Sequence, residues 1–293
     1  MNELTVRSDI PGLTIAEHVK VNGSEIDHRA RRIIILIHGF QNSAKKARGY
    51  YAAFLRALRI ALWVEDERSL GSFWGFQWPG NHPVGVISMA TYSVRVPEAR
   101  EAGRLLAEHL SELHSSQEVI MIAHSLGCRV ALEATKFVRQ KGSAYHGANI
   151  RAICMLAAAV PTGLCEGEGA TELREGEEMP FARGLPGCDE TAFYSSRDRV
   201  LFLGFPIGQR LYGERGAPVG LRGTPYHRWN SAISTGLGHG DYWPSFQVAE
   251  HVGAALGRSG WHRLREDMLP ISLATESETL GIRNVPVRQI SER

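Results

Sequence analysis

The chain has 293 residues, 43% of them hydrophobic and 22% charged, with a formal net charge of +2. That length suits one large α/β domain or two small ones, and the near-neutral charge gives no reason to expect a nucleic-acid partner. No stretch approaches the roughly 18 apolar residues of a membrane span. The first eleven residues hold Glu3, Arg7 and Asp9 and no apolar core, so no secretory signal is expected there. Cys128, Cys154, Cys165 and Cys188 form no C-x-x-C pair. They read as free thiols of a reducing compartment, and a soluble cytoplasmic protein is expected.

In chain order, residues 13–28 show two weak strand patterns about Asn22-Gly23, a hairpin signal. Arg32 to Ile37 is a continuous β-branched run that suits a central parallel strand, and it ends in His38-Gly39-Phe40. Ser43 predicts a helix cap, and Ala47, Tyr50, Tyr51, Phe54, Leu55 and Leu58 follow at helical spacing. Residues 60–64 and 73–78 are apolar strand candidates; the second stops at Trp78-Pro79-Gly80. Residues 81–96 are mixed, and Pro97 suits a first helical turn ahead of the apolar face Leu105, Leu106, Leu110 and Leu113. A strand is predicted over 118–123, a helix over 126–140, and a buried strand from Ile150 to Val160, stopped by Pro161. Further strands are predicted at Thr191–Tyr194 and Trp229–Thr235, and a closing helix over 244–257. Residues 162–188 and 204–228, rich in Gly, Pro and charge, read as lid-like insertions. One domain over 1–270 and a polar tail over 271–293 are expected.

Strands alternating with helices predict a mostly parallel central sheet with helices on both faces. Within that pattern one turn stands out. The apolar strand Val119 to Ala123 runs straight into His124-Ser125-Leu126-Gly127, and a helix starts at once. A serine on a sharp strand-to-helix turn must take an unfavourable backbone conformation, and its neighbours are crowded. Side chains beyond a methyl at 123 or 127 would collide with adjacent elements. The turn also leaves the Leu126 amide at a helix start, where an oxyanion would form.

Here the chain resembles the α/β-hydrolase superfamily, in particular serine esterase and lipase-like members and bacterial members of undetermined substrate. Ala123-His124-Ser125-Leu126-Gly127 departs from the usual Gly-x-Ser-x-Gly only by Ala for Gly. A serine hydroxyl needs a histidine to take its proton and a carboxylate to orient that histidine. The resemblance implies the chain order Ser, acid, His. Asp198, after the Thr191–Tyr194 strand, fits the acid; Asp189 and Asp241 are its rivals. His239, between Gly238 and Gly240 in a late loop, fits the base; His227 is the alternative. By the same resemblance Phe40, in the loop after the Arg32–Ile37 strand, supplies the second oxyanion amide beside Leu126.

The implied reaction is a two-step acyl transfer on a carboxylic ester, with a fatty-acyl or lysophospholipid ester among the expected substrates. Trp74 and Trp78, at alternate positions with Phe76 between them, and Trp243 are candidates for an acyl pocket; one layer of the core is the other reading. Arg210, Arg215, Arg222 and Arg228 suit an anionic head group or a solvated face. No H-x-x-H spacing appears, so neither a metal nor another cofactor is expected. Two other readings stand beside the esterase: a lipase-like effector or toxin regulated in an assembly, and a non-catalytic binding module on the hydrolase fold. An oligomer or a regulatory partner is compatible with all three.

Overall fold

The two runs without polar alternation become the central strands. Arg32–Ile37 (β3) and Glu118–His124 (β5) pair in parallel, from Arg32 opposite Glu118 to Ile37 opposite Ala123. Ile33 to Ile37 and Val119 to Ala123 are buried, as helices on both faces demand. The other strands are β1 (Asn2–Arg7), β2 (Ile15–Asn22), β4 (Ser72–Gln77), β6 (Asn149–Leu156), β7 (Asp189–Tyr194) and β8 (Ser231–Ser234). Their order is β2-β1-β4-β3-β5-β6-β7-β8, and all neighbours are parallel except β1 with β2. The computed structural model describes residues 1–8, 15–23, 30–80, 90–165, 185–206, 216–223 and 231–257. Met1–Leu256 is one compact unit.

The helices are α1 (Ala44–Leu62), α2 (Ala90–Glu112), α3 (Gly127–Lys141), α4 (Arg199–Leu203), α5 (Val219–Arg222) and α6 (Phe246–Leu256). α1 packs with α6, and α2 packs with α3. Consecutive residues of β4 separate these layers. The Trp74 ring lies 6.0 Å from His109 of α2, while Gly75 lies against the Tyr51 ring of α1. The expected sheet with helices on both faces is therefore present, and its parallel strands deliver β3, β5, β6, β7 and β8 to one carboxyl edge.

Three local expectations fail, and a fourth, the hairpin about Asn22-Gly23, falls partly outside the described residues. Residues 60–64 are not a strand: α1, capped by Ser43 at 3.3 Å to the Lys46 amide, continues to Leu62. Trp63 then closes it in the left-handed conformation, so the stop came without a glycine or proline. Pro97 lies inside α2, which starts at Ala90, although proline withholds a helical hydrogen bond there. β2 pairs with the preceding β1, whose Leu4 and Val6 are buried; residues 24–28 lie outside the described residues. β6 ends at Leu156, because Ala157 turns left-handed at φ 47°. Of the two insertions, 166–184, 207–215 and 224–228 lie outside the described residues, as do the 271–293 tail, His227, Arg210, Arg215 and Arg228. Among the described residues, no helix is long and apolar enough to cross a membrane. The four cysteines are free thiols.

Candidate active site

Ser125 caps β5 with φ 54°, a left-handed conformation that L-residues adopt at a cost of order 1–3 kcal/mol. Neighbouring backbone holds it there. Its amide donates to Leu156 O at 2.9 Å, and its carbonyl accepts from the Cys128 and Ala159 amides, each at 3.1 Å. The crowding is stricter than the sequence suggested. A methyl fits at Ala123, but a Cβ on Gly127 would sit 2.4 Å from the His38 carbonyl oxygen. Leu126 is the N-cap of α3, and among the described residues its amide meets no acceptor.

Asp198 and His239 arrive from the two strands beyond β6, Asp198 after β7 and His239 after β8. After β7, the Ser195 amide donates to Gly220 O, and the Asp198 amide donates back to Ser195 O at 3.2 Å. This turn buries Asp198 completely. Its two oxygens are divided: Oδ1 accepts from the Leu201 amide at 3.0 Å and caps α4, while Oδ2 accepts from His239 Nδ1 at 2.7 Å. With the proton on Nδ1, His239 Nε2 is the acceptor for the Ser125 hydroxyl at 3.0 Å. Asp189 opens β7, at the opposite end of the strand, and Asp241 is an exposed residue of the Gly238 turn. Among the described residues, His239 is hydrogen-bonded to Asp198 and not to either rival.

His124 was missed by sequence reasoning. It occupies the variable position of the serine motif, where no residue type is demanded. Its Nε2 donates to the His239 carbonyl at 2.8 Å, and the two rings lie 4.9 Å apart. Burial drives its pKa down to about 3, with His239 beside it adding to the shift, so the ring stays neutral and keeps this donor.

The loop after β3 is braced from β1, α1 and the end of β4. The His38 amide donates to Tyr51 Oη, which donates to Phe76 O, both at 2.9 Å. Trp78 Nε1 donates to His38 O at 2.7 Å, and the Trp78 ring stacks on His38. Burial holds the His38 pKa near 3, so the ring is neutral; Nδ1 donates to Gly39 O, and Nε2 receives Arg7 and the Trp78 amide. Asn42 Nδ2 also donates to Gly39 O, and Arg7 reaches across from β1 to donate to Asn42 O at 2.8 Å. With the Gly39 carbonyl held on one side, the Phe40 N–H of the same trans peptide faces the other. Gly39 itself lies over the serine: a Cβ there would be 2.7 Å from Ser125 Cβ. Gln41, φ 59°, completes this strained edge.

The three tryptophans have separate surroundings. Trp74 is packed under α2 with its indole N–H on Ser72 Oγ. Trp78 supports the β3 loop. Trp243 wedges edge-on against Tyr51 and Phe54 of α1, 6.0 Å from His124. They do not form one wall. Among the described residues, no group of three His, Cys, Asp or Glu side chains is placed to hold a metal.

A family profile described as an alpha/beta hydrolase of unknown function (DUF900) matches residues 15–210. No curated protein matches the chain. Among solved structures, a putative hydrolase from Agrobacterium vitis S4 is similar at 12% identity and TM-score 0.46, over 77% of this chain and 88% of that one. A putative hydrolase of the alpha/beta superfamily from Xanthomonas campestris pv. campestris matches at 14% identity and TM-score 0.33, over 80% and 98%. A carboxylesterase structure from the thaumarchaeon Nitrososphaera gargenis matches at 14% identity and TM-score 0.29, over 87% and 93%.

Proposed function

The chain belongs to this α/β-hydrolase family, and from that premise we propose that it is a serine hydrolase cleaving a carboxylic ester through an acyl-enzyme. The observation that carries the reading is the unbroken chain Ser125 Oγ, His239 Nε2, His239 Nδ1, Asp198 Oδ2, with links of 3.0 and 2.7 Å. Ser125 attacks the ester carbonyl as His239 Nε2 takes its proton. Asp198, buried and anchored by its second bond to α4, fixes the tautomer and stabilises the imidazolium. The Leu126 and Phe40 amides take the oxyanion. His239 then protonates the departing alcohol, and water enters by the same route to free the acid.

A fatty-acyl or lysophospholipid ester is the substrate class we favour. The test is labelling with a fluorophosphonate, located by mass spectrometry, with Ser125→Ala as control. Labelling confined to Ser125 is the expected result. Labelling elsewhere, or equal labelling of the Ser125→Ala protein, would overturn the assignment.

A further inference from the structure

Large apolar side chains left in water are unevenly spread over the described residues. Ile60 and Trp63 sit where α1 ends, at the edge of the sheet away from Ser125. Met1 and Val21, 52% and 38% exposed, belong to the β1–β2 edge, and the remaining ones lie on the connections that follow β7 and β8. Val200, Phe202 and Leu203 of α4 are 48%, 62% and 63% exposed, and Phe246, the first residue of α6, is 55% exposed. β7 and β8 are parallel neighbours, so the connections carrying these residues leave the sheet on the side of Asp198 and His239.

Single exposed apolar residues are ordinary, but three on one helical turn beside a reactive site are a patch. α4 has five residues, too few to stand alone. It is fastened from beneath by the Asp198 cap and by buried Leu201. Its outer face is apolar, and exposed Arg197 and Arg199 flank the buried Asp198 at its start. An apolar face with cationic shoulders matches the boundary between acyl chains and anionic head groups.

We propose that α4 is the surface by which this protein adsorbs to an anionic lipid bilayer. The inference rests on the esterase reading for its purpose, since adsorption brings Ser125 to acyl esters held in the bilayer. It does not rest on that reading for its test. Burying Phe202 and Leu203 strengthens binding by roughly tenfold each. Each arginine adds about fivefold at low salt, and that part fades as salt is raised.

The test is sedimentation of the Ser125→Ala protein with vesicles of phosphatidylcholine containing about one-third phosphatidylglycerol, beside pure phosphatidylcholine vesicles. The expected result is binding to the anionic vesicles that falls at least about tenfold when Phe202 and Leu203 become Gln, and also falls with Arg199→Glu. Hydrolysis of a short soluble ester by the otherwise intact Phe202→Gln, Leu203→Gln protein should be unchanged, which controls for folding. Absence of vesicle binding, or undiminished binding by the double variant, would overturn the proposal. So would a patch that these substitutions show to hold a second copy of the chain or another protein instead. Failure at Ser125 labelling would sink the esterase reading and leave this result standing.

Discussion

Replacing His124 isolates one hydrogen bond that reaches the base from behind. His124→Phe keeps a flat ring against His239 but removes the 2.8 Å donor to its carbonyl. Losing a bond and leaving a largely buried acceptor costs about 1–3 kcal/mol. If that cost falls on the placement of the His239 loop, kcat drops roughly 5- to 150-fold, at 1.36 kcal/mol per tenfold. KM should stay within about twofold, because His124 is buried beneath the site rather than facing substrate. His124→Gln, which can present an amide N–H at a similar reach, should recover most of the rate. The assay is steady-state hydrolysis of a chromogenic ester, with fluorophosphonate labelling rates beside it. The pH–rate profile should keep its acid limb in both variants, since the native ring is neutral down to about pH 3. Wild-type kcat in His124→Phe would refute the reasoning. A Gln variant as slow as the Phe variant would show that an N–H donor alone does not restore the rate, and would count against the hydrogen bond as the cause.

Gly39→Ala should lower kcat/KM by about 10²–10³-fold, since its methyl meets Ser125 Cβ at 2.7 Å and the bonded Gly39 carbonyl keeps the loop from yielding; a normal rate would mean that the loop moves freely. Asp198→Asn should keep the α4 cap and the melting temperature while cutting kcat about 10³–10⁴-fold, and Asp189→Asn should do little. The reverse pattern would make Asp198 the wrong acid. His38 and His124 are held neutral, far below their ordinary 6.5, so the unfolded chain binds protons first as pH falls. Stability is therefore full above about 6.5 and is lost toward 3, by roughly 2 kcal/mol per histidine between pH 7 and 5. Urea titrations at the two pH values measure this, and a flat profile would refute it.

The fold was legible where one force dominated. β3 and β5 are buried on both faces, so their sequences are apolar without interruption, and only a central parallel strand reads that way. The errors fell where weak local signals met tertiary context. Ile60-Ala61-Leu62-Trp63-Val64 looks like a strand, yet Ile60 and Trp63 face water at the end of a helix already under way. Pro97 advertises a helix start, but α2 had begun seven residues earlier, at Ala90. In the candidate site, the meeting of Ser125, Asp198 and His239 could be anticipated because the proposed chemistry asks for those residue types and the family resemblance implies their order. His124, Arg7 and Asn42 were not, because each acts through a backbone carbonyl that many donors could serve.

The bonds that brace the candidate site span the length of the chain. Arg7 reaches 35 residues forward to Asn42, Trp78 reaches back 40 residues to His38, and Ser125 waits 114 residues for His239. Such distant pairings form late, because long loops must close before they are rewarded. During synthesis the serine therefore leaves the ribosome long before the histidine exists. A truncated or half-made product has a serine on a turn with nothing to take its proton. Under the proposed mechanism the nucleophile stays without its base until residue 239 has been made and folded against it, so shorter partly folded products carry the serine without the means to activate it.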